Sequence, residues 1–112
     1  MEIDSVVLRL DGRFDRATLE PALLDLIRNH GIVRLKGRLW QQGKARPLEI
    51  QAVGPRLESW FAATTSSQPA PARPSLELVA LGFDLPLDRL RRRLEEIALA
   101  PASLSQGEGR TT

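Results

Sequence analysis

Hydrophobic and polar positions alternate along much of the chain, and this alternation predicts five β-strands. The first strand covers residues 5–10 and ends at the turn signal Asp11-Gly12. The second covers residues 32–41. Its apolar side is predicted to consist of Val33, Leu35, Gly37 and Leu39, and its polar side of Arg34, Lys36, Arg38 and Trp40.

Shorter apolar stretches predict the other three strands. The third covers residues 48–52 and ends at Gly54-Pro55. The fourth covers residues 57–61, with Trp60 on the side opposite to its apolar positions. The fifth covers residues 76–81 and is apolar on both sides, as expected for a central strand. Short turns, the first at Gln42-Gly43-Lys44, predict that the second, third and fourth strands form an antiparallel meander.

Apolar residues spaced three and four positions apart predict a first helix before the second strand. Its apolar side consists of Leu19, Ala22, Leu23, Leu26 and Ile27. Asp15 or Thr18 could cap its start, and Pro21 weakly favours Thr18, because the proline would then lie in the first turn, where no N–H is needed. The helix is expected to end at His30-Gly31, with Gly31 in the left-handed conformation.

A second helix is predicted after Gly82-Phe83-Asp84, with the apolar residues Leu87, Leu90, Leu94 and Ile97. The predicted order, β-α-β-β-β-β-α, favours an α+β fold in which two helices pack on one face of a mainly antiparallel sheet of four to five strands. This domain is expected to cover residues 1–100. Residues 62–75, rich in Ala, Thr, Ser and Pro, predict a flexible loop, and residues 101–112 predict a disordered tail.

The composition excludes several kinds of chemistry. The 112 residues include no cysteine, which excludes disulfides, thiolate metal sites and cysteine nucleophiles. Sixteen basic and fourteen acidic residues give a net charge of only +2, so bulk charge does not indicate nucleic-acid binding. The only histidine, His30, is interpreted as a helix-end residue, and no phosphate-binding glycine motif is present. We therefore expect no catalytic, cofactor-binding or metal site, and no secretion signal or membrane segment.

The polar side of the second and fourth strands is the candidate partner-docking surface. It is predicted to contain Arg34, Lys36, Arg38, Trp40 and Trp60. Two tryptophans are costly to leave in water, so this surface is expected to contact something else.

Three interpretations of this surface remain open. It could be a solvated sheet face, with Glu49 and Gln51 of the neighbouring strand as cross-strand partners. It could be a protein-docking face, or it could bind nucleic acid through its cations, with a base stacked on Trp40.

Four motifs occur in a fixed order along the chain. Phe14-Asp15 precedes the first helix, Arg34-Leu35-Lys36-Gly37 lies in the second strand, Gln51-Ala52-Val53-Gly54 ends the third, and Leu81-Gly82-Phe83-Asp84-Leu85 leads to the last helix. No single motif is specific, but the ordered set resembles the C-terminal domain of the CobW family of GTPases over residues 5–98. Arg13 stands where that family usually has proline.

This resemblance implies a cytoplasmic accessory domain of a metallochaperone-like GTPase, associated with delivery of cobalt, cobalamin or zinc. In the full-length proteins a GTPase domain comes first and carries the P-loop and a Cys-x-Cys-Cys metal motif. GTP and a divalent metal are therefore expected to bind only there, and this chain is expected to be non-catalytic. The implied partners are a CobW-type GTPase domain or a metal-receiving client protein. A small nucleic-acid-binding domain and an unrecognised small enzyme remain the alternatives.

Overall fold

A computed structural model describes residues 2–41, 44–63 and 73–99 as a five-stranded sheet with two helices. The strands are β1 (Asp4–Asp11), β2 (Ile32–Trp40), β3 (Leu48–Val53), β4 (Arg56–Phe61) and β5 (Ser75–Gly82), and the helices are α1 (Arg16–Asn29) and α2 (Leu87–Ile97). This confirms the predicted α+β fold and its element order. The predicted turn at Gln42-Gly43, most of the predicted 62–75 loop and the predicted tail lie outside the described residues.

The strand order in the sheet is β1-β5-β2-β3-β4, and every neighbouring pair is antiparallel. β5 lies between β1 and β2, which confirms its predicted central position. β1 and β2 consequently run parallel to each other with one strand between them. Strands β2, β3 and β4 form the predicted meander, and β1 and β4 are the edges of the sheet.

The two helices cover one face of the sheet and form the hydrophobic core with it. The register aligns Leu8, Leu78, Gly37, Ile50 and Ser59 in one row across the five strands on this covered face. The predicted apolar side of α1 is buried in full, and α2 buries Leu90 and Leu94. The prediction for α2 is wrong at Leu87, which is 39% exposed, and Ile97 is only partly buried. Most of the core is therefore built from the periodic apolar positions that the sequence predicts.

The predicted direction of Val33 is wrong. The β2–β5 register shifts between Ile32 and Arg34, so one extra residue interrupts the alternation at the start of β2. As a result Ile32 is buried in the core and Val33 is exposed. From Leu35 onward the strand follows the predicted alternation, so its polar side is unaffected.

The preference for Thr18 as the cap of α1 is also wrong, because the N-cap residue is Asp15. The backbone N–H groups of Thr18 and Leu19 both donate to the Asp15 carbonyl, at 3.0 and 2.8 Å. Pro21 therefore lies inside the helix, on its exposed side, where it removes one backbone hydrogen bond. The earlier start also brings Arg16 into the first turn of the helix, next to β4.

Gly37 is required by close packing in the middle of the sheet. A Cβ atom at this position would overlap the side chain of Leu78 and lie 2.7 Å from the carbonyl oxygen of Glu77. At the end of α1, Gly31 adopts the predicted left-handed conformation with a φ of 66°. Close packing therefore explains why residue 37 is glycine, and the left-handed backbone explains why residue 31 is glycine.

Candidate functional site

The sheet side opposite the helices, here called the open face, is the candidate functional site. The strand registers place on it Val7 and Arg9 of β1, Glu77 and Val79 of β5, Arg34, Lys36, Arg38 and Trp40 of β2, Glu49, Gln51 and Val53 of β3, and Arg56, Glu58 and Trp60 of β4. All five residues proposed from the sequence as docking residues thus belong to the same side of the sheet, although the sheet does not expose them equally.

Two ion pairs neutralise one row of the open face. Arg9 Nε lies 3.3 Å from a carboxylate oxygen of Glu77, and Arg38 Nε lies 2.8 Å from a carboxylate oxygen of Glu49. The registers align these four residues and Trp60 in one row across the sheet. The residue that pairs with Arg38 is therefore the cross-strand partner that the sequence predicts for it, Glu49.

The other cations of the open face have no such partner among the residues that the structure describes. Among the described residues, no carboxylate oxygen lies within 4 Å of the charged nitrogen atoms of Arg34, Lys36 or Arg56. All three side chains are exposed, and Lys36 faces the uncharged Gln51 across the ladder. One end of the open face therefore carries an excess of positive charge that the described part of the fold does not balance.

The two tryptophans differ sharply in exposure. Trp60 is 44% exposed at the end of the neutralised row, whereas Trp40 is only 7% exposed. Trp40 does not belong to the core cluster beneath the helices, so it is buried at the end of β2 apart from that core. Trp40 is therefore largely covered although it belongs to the predicted polar side of β2, and its ring offers little stacking surface for a base.

Three exposed valines, which are not among the docking residues predicted from the sequence, contribute apolar area to the open face. Val7 and Val79 face each other across the β1–β5 ladder and are 54% and 41% exposed, and Val53 of β3 is 53% exposed. A shallow groove of about 220 Å³ is lined by Val7, Val79 and Lys36 together with the four ion-paired residues of the neutralised row. For Val79 the signal in the sequence is the apolar character of both sides of β5, which a central strand alone also explains.

The described residues also bear on metal, membrane and enzymatic interpretations. No group of three or more His, Cys, Asp or Glu side chains in residues 2–41, 44–63 and 73–99 is placed to hold a metal ion. Neither helix in these ranges combines the length and apolar character that crossing a bilayer requires. A polar pocket of about 330 Å³ at the start of α1 is lined by Arg13, Asp15, Thr18 and Gln41 among others. No polar or charged side chain in the described ranges is buried.

Comparison with known proteins identifies the domain. The family model for the cobalamin synthesis protein cobW C-terminal domain matches residues 3–98. The fold is similar to the Zn(II)-bound YjiA GTPase from E. coli and to a Zn(II)-bound triple mutant of YjiA GTPase. For each, the TM-score is 0.69 with 23% sequence identity over 87% of this chain and 30% of the GTPase chain. A search of curated proteins found no significant match.

These findings differ in what they establish. At 23% identity the likeness to the YjiA structures shows a shared fold, and this chain spans 30% of the length of those GTPases. The family model, by contrast, covers nearly the whole described fold, including all four motifs recognised in the sequence. The predicted resemblance is confirmed: this chain belongs to the family of CobW C-terminal domains.

Proposed function

We propose that this chain is a non-catalytic accessory domain of a cytoplasmic CobW-type GTPase and that it binds a protein partner through the open face. The observation that carries the proposal is the side chain composition of that face. The side of the sheet that the helices leave uncovered carries an exposed tryptophan, three exposed valines and three cations that no described carboxylate neutralises.

This composition is typical of protein–protein interfaces. Tryptophan and arginine are enriched at interfaces and are the residues that most often contribute large parts of the binding energy. Trp60 lies beside the Arg38–Glu49 ion pair, so a partner that covers the indole would also exclude water from that pair. Covering the exposed parts of Val7, Val53 and Val79 would add hydrophobic stabilisation of about 1 kcal/mol for each side chain.

The family membership supports a particular partner. In CobW-type proteins the GTPase domain precedes the C-terminal domain, so it is the first candidate, and a metal-receiving client protein is the second. On this proposal GTP and the delivered metal, cobalt or zinc, are held by the GTPase domain. This chain contributes contact surface and makes or breaks no bonds.

Calorimetric titration tests the proposal. The 112-residue chain is titrated with a CobW-type GTPase domain that lacks its own C-terminal domain. The titration is done once with GTP bound to the GTPase domain and once with GDP bound to it. Binding is expected, and Trp60→Ala is expected to weaken it at least tenfold, because truncating a tryptophan that the partner covers costs about 2 kcal/mol or more. Leu87→Ala is the matched control, since Leu87 is a similarly exposed apolar residue of the helix layer. No binding, or equal effects of the two variants, would contradict the proposal.

The non-catalytic part of the proposal has a test of its own. GTP, Zn²⁺ and Co²⁺ are titrated separately against the isolated chain, and GTP hydrolysis is followed over the same concentration range. The proposal predicts neither stoichiometric binding nor turnover. GTP hydrolysis that rises with the concentration of the chain would overturn it.

A further inference from the structure

The open face divides into two parts of different charge. In the row that contains Arg9 and Arg38 each cation is paired with a glutamate, so that row is close to neutral. The other part, here called the cationic half, contains Arg34, Lys36 and Arg56. A single carboxylate, that of Glu58, belongs to the same part of the sheet in the registers, opposite the uncharged Gln51.

The three cations lie close enough for their fields to add. Arg34 and Lys36 are two residues apart on one strand, which separates their backbone positions by roughly 6.7 Å. Arg34 and Arg56 are both in register with Val53, so they stand two strands apart, roughly 9.6 Å. The first separation is shorter than the Debye length of roughly 8 Å at physiological ionic strength and the second is slightly longer, so the combined positive potential is strongest at low salt.

Apolar side chains alternate with these cations. Val53 lies between Arg34 and Arg56 in the register, and Val79 lies opposite Lys36. A complementary ligand therefore needs carboxylates spaced among apolar side chains. An acidic protein segment has this combination. A nucleic acid has the charge but lacks the apolar groups, and the face offers it little stacking surface because Trp40 is buried and Trp60 lies in the neutral row.

We propose that the cationic half binds an acidic, apolar segment of the protein partner, with carboxylates against Arg34, Lys36 and Arg56 and apolar side chains against Val53 and Val79. This inference rests on the proposed function and specifies the chemistry of the partner surface. Clustered like charges on a sheet are unfavourable in the free domain, and the carboxylates of the partner relieve that repulsion in the complex.

The test uses three defined probes and the purified chain. The first is a synthetic peptide with glutamate and leucine at helical spacing, the second has lysine in place of every glutamate, and the third is a single-stranded oligouridylate. Each is titrated into the ¹⁵N-labelled chain at low salt, and amide shifts are recorded. The glutamate peptide is expected to shift amides of β2, β3 and β5 and to bind at least tenfold more tightly than the lysine peptide.

The double variant Arg34→Glu, Lys36→Glu is expected to reverse this preference. The control is Arg89→Glu, which changes the charge of an exposed residue in the first turn of α2, where the helix dipole tolerates a carboxylate. The control is expected to keep the preference for the glutamate peptide. Unchanged amide dispersion in both variants shows that each is folded, so a lost preference reports on the surface.

Several results would overturn the inference. They are equal binding of the two peptides, no binding of either, tighter binding of the oligouridylate, or shifts centred on the helices. Failure of this inference is distinguishable from failure of the proposed function. If the GTPase domain binds the Arg34→Glu, Lys36→Glu variant as tightly as the original chain, only the inference falls. If the GTPase domain does not bind while the glutamate peptide does, only the proposed partner falls.

Discussion

The covered face and the open face are built from the same five strands but differ in what their side chains do. On the covered face, residues such as Leu39, Leu48 and Leu76 are fully buried and belong to one hydrophobic core with the helices. On the open face, alternate residues of the same strands are ion pairs, free cations and exposed apolar side chains. Folding constrains the first set tightly. The second set contributes little to stability in the free domain, which leaves it available for recognition.

The two edges of the sheet differ from the open face, because each is partly protected by a helix arginine. At β4, Arg16 donates to the backbone carbonyl of Ser59 at 3.1 Å, and the Ser59 hydroxyl donates to Glu20. At β1, Arg91 donates to the backbone carbonyl of Arg9 at 3.4 Å. Occupied carbonyl groups make a poor template for an added strand. The face, rather than either edge, is therefore the better surface for a partner.

The contrast between the faces predicts the largest effect for a core truncation. Leu39→Ala removes a fully buried side chain of the covered face and is expected to lower the free energy of unfolding by about 2–5 kcal/mol. Val79→Ala on the open face is expected to cost less than about 1 kcal/mol. Urea denaturation of both variants measures the difference. Similar losses would mean that the open face is packed against something in the free domain.

Close packing at the centre of the sheet predicts a somewhat smaller effect for Gly37→Ala. The new methyl group would collide with Leu78 and the Glu77 carbonyl, and the expected cost is about 1–3 kcal/mol. A double-mutant cycle with Leu78→Ala isolates the part of the collision that involves the Leu78 side chain, whereas the contact with the Glu77 carbonyl remains. Purely additive losses in urea denaturation would show that Leu78 is not the obstacle.

The protected edge predicts a loss of about 1 kcal/mol for Arg16→Ala, the typical value of a lost hydrogen bond. The variant also frees the Ser59 carbonyl, so sedimentation velocity is expected to detect more self-association than in the original chain. Arg28→Ala, on the exposed side of the same helix, is the control for removing one arginine. Equal behaviour of the two variants would show that Arg16 does not protect the edge.

The smallest effect is expected for the neutral row. Glu49→Gln removes a partly exposed ion pair, so its cost should stay below about 1 kcal/mol and should shrink as salt is added. The variant leaves Arg38 unpaired and extends the cationic half, so it should strengthen binding of the glutamate peptide. Weaker binding of that peptide would mean that the division of the open face by charge is incorrect.

Local periodicity predicted most of the fold. The apolar sides of α1, β3 and β5 were correct because each depends on the spacing of residues within one element. Val33 was assigned to the wrong side because the bulge at the start of β2 depends on pairing with β5, which is distant in the sequence. The predicted start of α1 is wrong because the helix tolerates Pro21 in its interior, at the loss of one backbone hydrogen bond.

The candidate site was only partly predictable. The shared side of Arg34, Lys36 and Arg38 follows from strand alternation alone. That Arg38 is neutralised while the other two are not depends on the register with β3 and on the side chain of Glu49. The burial of Trp40 depends on packing at the end of the sheet, and strand periodicity carries no information about it.

Cross-saturation NMR on the complex tests the central claim most directly. The methyl- and indole-labelled chain is bound to the unlabelled GTPase domain, and saturation is transferred from the GTPase domain to nearby groups of the chain. We predict the strongest transfer to the methyl groups of Val7, Val53 and Val79 and to the indole of Trp60, with little transfer to Leu87 of α2. Transfer concentrated on the helices, with the open-face valines unaffected, would contradict the account.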